Sequence, residues 1–113
     1  MPKSEYFVEK DILFYLEYIR DVRNLSINTV SSYSRDLSKL SAYLKDIGVS
    51  SYKNIDENTC SGWIGDLYQL KNNPRSIHRH LSAAKGFFKF LKKNSLVSSS
   101  PFELVTAPKT ASY

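Results

Sequence analysis

One cysteine is all the thiol this chain has. Cys60 stands alone among 113 residues, so no internal disulfide staples the fold. A lone cysteine also lacks the company of a zinc-type ligand set, and it suits a reducing, cytoplasmic compartment. No apolar run approaches the ~20 residues that a membrane span requires, and no secretory pattern opens the chain. Period-two runs closed by Asn-Gly or Asp-Gly turns are missing, which argues against hairpin sheets. The glycine-rich phosphate loop, the Gly-x-Ser-x-Gly elbow and the Cys-x-x-Cys pair are all absent. His78 and His80 lie two apart on a helical stretch, about 200° around its axis, so they cannot share a metal ion. No cofactor or metal is expected, and the chain by itself reads as non-enzymatic. The most informative absence is of charge: no acidic residue occurs between Asp66 and Glu103.

What is present fits a single globular domain with a modest core, 42% hydrophobic and 24% charged. The net charge of +5 is one-sided. Residues 1–56 carry eight Lys/Arg against eight Asp/Glu, whereas residues 57–113 carry eight against three. The whole excess therefore sits in the second half. Such asymmetry implies an anionic partner, and nucleic acid is the commonest one for a basic domain. A solvated lysine-rich helix is the blander explanation.

Taken in order, residues 1–5 read as a frayed start. From Val8 to Arg23, Ile12, Leu16 and Ile19 share a helical face, broadened by Val8, Phe14, Tyr15 and Val22. Ser26 then caps a second helix reaching Ile47, with Val30, Tyr33, Leu37, Leu40, Leu44 and Ile47 as its apolar stripe. Gly48 supplies the stop. Val49 to Ile55 is a loop or single turn whose two ends tuck into the core. Asp56 caps a third helix, Glu57 to Leu70, burying Cys60, Trp63, Ile64, Leu67 and Leu70. Asn73 and Pro74 open a fourth, in which Ile77, Leu81, Ala84, Phe88 and Leu91 stack on one side. Phe102 to Val105 forms one short turn, and 106–113 reads as an extended linker. The expectation is an all-α fold of four helices.

The fourth helix has a second character. At 100° per residue, Arg75, Arg79, Ser82, Gly86 and Lys89 fall opposite its apolar stripe, flanked by His78 and Lys85. His80 falls nearer the stripe and reads as a packing residue. Lysine and arginine near phosphates release condensed counterions, while hydroxyls, amides and helix N-termini add hydrogen bonds to phosphate oxygens. Both well-marked helix starts carry that equipment. Asn28, Thr29, Ser31 and Ser32 open the second helix, with Arg35 on the same outward side. Arg75 and Ser76 open the fourth, followed by Arg79 and Ser82. Two such helices side by side would straddle a major groove, with Arg75 or Arg79 at a guanine edge and Lys85 and Lys89 at backbone.

These residues carry a resemblance. Ser26-x-Asn28-Thr29-Val30-x-x-Tyr33-x-Arg35-Asp36-Leu37, then Ser76-Ile77-x-Arg79-x-Leu81-Ser82-Ala83-x-Lys85-x-Phe87-x-x-Phe90-Leu91, resembles the N-terminal core-binding domain of tyrosine recombinases, among them phage integrases and Xer-type resolvases. Ser100-Pro101-Phe102 with Pro108-Lys109 is similar to that family's exit toward its catalytic domain, with Ser100 in place of the usual Asn. The likeness spans about residues 7–109. It implies a four-helix, SAM-like bundle forming half of a clamp on double-stranded DNA, with the second and fourth helices crossing the major groove. Thr29, Ser32, Arg75, Ser76, Arg79, Ser82 and Lys85 match positions that meet DNA in the family. The resemblance further implies two kinds of protein partner: a C-terminal catalytic domain of the same full-length protein, and other protomers packed against the first helix. The family's catalytic arginines, lysine, histidines and nucleophilic tyrosine have no counterpart here, and Tyr113 is not read as the nucleophile. On this reading residues 1–105 form the DNA-binding domain and 106–113 a linker.

Two other functions fit an all-α domain of this size. A SAM-type protein-interaction module would expose an apolar patch in place of a basic one and ignore DNA. A helix-turn-helix regulator would require a tight turn before its recognition helix, which is not evident.

Overall fold

Side-chain caps decide where most of the helices begin. A computed structural model describes residues 6–106. It comprises α1 (Phe7–Asp21), α2 (Ile27–Asp46), α3 (Glu57–Gln69) and α4 (Pro74–Lys93), with a 3-10 turn at Tyr52–Asn54 between α2 and α3. No strand occurs among the described residues, so the fold is all-α. Ser26 Oγ accepts from the Thr29 amide at 3.1 Å, and Asn73 Oδ1 from the Ser76 amide at 2.8 Å, each satisfying an orphan donor of a first turn. Asp56 and Thr59 cap each other's amides reciprocally, the Asp56 carboxylate accepting at 2.8 Å. Only α1 starts without a side-chain cap. Its entry is held instead by the Tyr6 hydroxyl, which donates to the Val49 carbonyl at 2.6 Å.

Each helix exit reverses through one residue with positive φ: Asn24, Gly48, Lys71 and Ser95. Gly48, at φ 83°, adopts this conformation without the steric cost a Cβ would bring.

α2 packs against both α1 and α4, and α3 joins through α4. The core gathers Val8, Ile12, Tyr15 and Ile19 of α1, Leu37, Leu40 and Leu44 of α2, and Cys60, Trp63, Ile64 and Leu67 of α3. α4 contributes all five expected stripe residues, together with Ala83, Phe87 and His80, so its buried face is wider than a single stripe. The segment after α4 returns to close the bundle. Phe102 is fully buried, its ring 5.2 Å from Phe88 and 6.0 Å from Trp63.

Four residues expected inside lie outside: Phe14, Val22, Ile47 and Leu70 are 52%, 66%, 50% and 65% exposed. Phe14 is about 200° around α1 from Ile12, on the far side. Val22, Ile47 and Leu70 are the C-cap residues of α1, α2 and α3. There the chain leaves helical register and the stripe ends. Leu16, Val30 and Tyr33 are half-buried. The expected start at 1–5 and most of the expected linker, including Pro108 and Lys109, lie outside the described residues.

Candidate nucleic-acid interface

Because Ile77, Leu81, Ala84, Phe88 and Leu91 drive one side of α4 into the core, the opposite side is turned outward by geometry alone. Arg75, Arg79, Ser82 and Lys89 are exposed there, with Ser76 and Lys85 half-buried at the edges. The 4, 3, 4, 3 spacing of Arg75, Arg79, Ser82, Gly86 and Lys89 continues to Lys93. Arg75, Lys85 and Lys89 form no ion pair among the described residues.

On α2, Asn28, Ser31 and Arg35 are exposed, and Thr29 and Ser32 half-buried. These groups are partly engaged with one another. Arg35 donates to Ser31 Oγ at 3.0 Å and to Ser32 Oγ at 3.4 Å, while the Ser26 hydroxyl donates to Thr29 Oγ1 at 3.0 Å. Arg35 therefore sits over the two serines as a small cluster, and Thr29 belongs to the cap.

The two helices are joined by an ion pair. Arg79 donates through Nε and Nη2 to both oxygens of Asp36, at 2.9 and 2.8 Å. Asp36 is buried to 1% exposure, whereas the Arg79 side chain is 42% exposed. The same carboxylate lies 3.4 Å from Nε2 of the buried His80. His80 Nδ1 meets the Ser76 carbonyl, which can only accept, so that nitrogen carries a proton. His80 is thus a packing residue, bonded to its own helix through Nδ1, with Nε2 near Asp36 but making no hydrogen bond. The hydrogen bonds from Arg79 to Asp36 raise the guanidinium pKa further. A second link runs from Lys39 Nζ to Asn72 Oδ1, at 3.5 Å, on the turn before α4. Later residues of α2 thus meet earlier residues of α4, and the hydroxyl-bearing opening of α2 lies toward the later turns of α4.

Arg79 is consequently not a free cation. It gives one face of its guanidinium to Asp36, with Nη1 uncommitted to that pair. The sequence had marked Arg79 by its place on the polar face. Asp36 was visible only as part of a motif, although an acid between Tyr33 and Leu37, at the edge of an apolar stripe, is itself a signal of a buried partner. Gly86 also gains a role: a Cβ there would lie 2.3 Å from the Tyr15 hydroxyl, so the small residue admits that ring.

The family model described as phage integrase, N-terminal SAM-like domain, matches residues 12–95. The chain belongs to this family. Among relatives of the integrase N-terminal domain, it is 31% identical over 102 residues to the tyrosine recombinase XerC of Pseudomonas syringae pv. tomato, covering 90% of this chain and 34% of the relative. To XerC of Pseudomonas aeruginosa strain PAO1 it is 30% identical over 100 residues, covering 88% and 33%. To XerC of Anoxybacillus flavithermus it is 27% identical over 95 residues, covering 84% and 32%. The chain thus spans about a third of the length of these tyrosine recombinases. No solved structure matches it. The all-α architecture agrees with the family's SAM-like domain, and no described helix is long and apolar enough to cross a membrane.

Proposed function

We propose that this integrase-type domain grips duplex DNA through the joined outer faces of α2 and α4, as the DNA-binding part of a cytoplasmic tyrosine recombinase. One observation supports the reading: α4 exposes an acid-free basic stripe, and it is tied through Arg79 and Asp36 to α2, whose opening carries the Arg35, Ser31 and Ser32 cluster. Arg75, Ser82, Lys85 and Lys89 offer α4's cations and hydroxyl to phosphates and base edges. Asn28, Thr29, Ser31, Ser32 and Arg35 do so from α2. Ser76 contributes at the α4 N-terminus, where the helix dipole favours an anion. Arg79 acts in two capacities, fixing the helix pair through Asp36 and offering Nη1 to the same surface. On this reading, catalysis of recombination belongs to a separate domain of the full-length protein, and the chain supplies the grip on DNA.

A second surface supports contact with other protomers assembled on DNA. Leu13 and Phe14 are 57% and 52% exposed on α1, an apolar pair without cover. The alternative reading, a SAM-type protein-interaction module, draws on the same pair but leaves the basic stripe without a role.

Fluorescence anisotropy with a labelled duplex over a series of salt concentrations tests the reading. Binding is expected to weaken steeply with salt, and Arg75→Ala to weaken it further. Indifference to duplex at low salt, accompanied by self-association, would favour the interaction module.

A further inference from the structure

At the far end of the α4 stripe the chain encloses a cleft of about 310 Å³ between α1 and α4. Arg23, Lys89 and Lys93 line it, along with Tyr15, Tyr18 and Gly86. Three exposed positive residues border it, and the nearby acids are engaged elsewhere. Asp21 is bonded to Arg20 at 2.7 Å, and Glu17 also acts on Arg20. Lys93 Nζ sits over the Tyr18 ring, 5.5 Å from its centroid, at the edge of the cleft.

The cleft also presents a hydroxyl that no described residue engages, open to the cleft and its water. Tyr15 is 98% buried, wedged against Phe87 and Phe90 at 5.8 and 5.4 Å, yet its hydroxyl lines the cleft and bonds none of the described residues. Burial pushes that hydroxyl up to about 12, so it stays protonated as a donor, with the Arg23 charge acting on it. Gly86 is what lets the hydroxyl lie against α4 at all. Three cations and a neutral hydroxyl donor lining one cleft are the kinds of group that recognise an oxyanion.

We propose that this α1–α4 cleft holds a single phosphate of the DNA backbone, beside the groove that α2 and α4 face, with Arg23, Lys89 and Lys93 supplying charge and the Tyr15 hydroxyl a hydrogen bond. The placement follows from the stripe. Gly86 is about 16 Å along the axis from Arg75 at ~1.5 Å per residue, more than the roughly 12 Å width of a major groove. A helix with its first turns over base edges therefore brings its later turns onto the bounding strand. This inference rests on the DNA-gripping reading and adds Arg23, Lys93 and Tyr15 to it.

The test uses the 113-residue chain with Tyr15→Phe, which deletes only the hydroxyl, and Arg23→Gln, an exposed position that leaves the core intact. Arg23→Gln is expected to weaken duplex binding roughly fivefold to tenfold and to lower the salt slope by about 1. Tyr15→Phe is expected to weaken it roughly threefold to tenfold. A duplex carrying one neutral methylphosphonate at the seated phosphate should bind the parent less well and the Arg23→Gln variant no worse than natural duplex does. Should circular dichroism show Tyr15→Phe unfolded, Arg23→Gln and the methylphosphonate duplex decide the matter. Parental affinity and slope in both variants, while Arg75→Ala still weakens binding, would overturn the cleft and leave the groove reading standing. Capture of an acidic peptide by the cleft with DNA binding unchanged would overturn it equally. Failure of the parent to bind duplex at any salt would remove both proposals together.

Discussion

Arg79 and Asp36 illustrate how a residue named for one task can be committed to another. Asp36 is buried, so removing Arg79 leaves a carboxylate without its main donor, and such orphaned charges are costly. Discounting for the part of Arg79 that is exposed, Arg79→Ala should cost about 2–3 kcal/mol in a urea titration, whereas exposed Arg75→Ala should stay within about 0.5 kcal/mol. A loss of DNA binding in Arg79→Ala would thus mix a lost contact with a loosened helix pair, and Arg75 is the cleaner probe. Arg79 could be read from helical spacing because outward positions follow a simple period. Its partner could not, because which acid a guanidinium finds depends on how two helices cross. Cys60 makes a separate prediction. Burial pushes its thiol up to about 12, so it stays protonated and shielded at neutral pH. Iodoacetamide should leave Cys60 unmodified in the native protein and alkylate it once urea unfolds the chain; equal rates in both states would contradict this packing.

Helix boundaries were largely legible because the caps are local chemistry, written within four residues. Ser26, Asp56 and Asn73 each accept the expected amide. Asn73→Ala should cost about 1 kcal/mol, read from the shift in denaturation midpoint. The amide and hydroxyl of Thr59 hold Asp56 below the usual carboxylate range. A carboxyl depressed in the folded state contributes stability above its unfolded pKa and loses it as pH falls through the folded one. Replacing Asp56 by Asn should therefore flatten the acid limb of the stability curve and leave its alkaline side alone. Gly65 of α3 and Gly86 of α4 differ in sign. Gly65→Ala meets open space and should stabilise by roughly 0.5–1 kcal/mol. Gly86→Ala would drive the pinned Tyr15 hydroxyl aside and should cost about 1–3 kcal/mol. What periodicity misjudged clusters at element ends. Val22, Ile47 and Leu70 continue their stripes by counting, but each is the cap residue at which its helix has stopped.

Across the whole molecule, the division of labour is between a greasy interior shared by all four helices and a positive outer surface made by two of them. The four helices, their order and α4's two faces follow from period and charge. The closing role of Phe102 does not, because a single turn after Ser98-Ser99-Ser100-Pro101 has no repeat from which burial can be inferred. Phe102→Ala should cost about 3–5 kcal/mol, since the ring fills a fully enclosed site between Trp63 and Phe88. The account at this scale turns on which surface meets DNA. Titrating the isotopically labelled chain with duplex DNA and following each backbone amide by NMR reads that surface directly. The shifts should concentrate at 28–35 on α2 and along the Arg75, Ser82, Lys85 and Lys89 side of α4, fading as salt is raised. Shifts gathered on α3, or none at low salt, would contradict it.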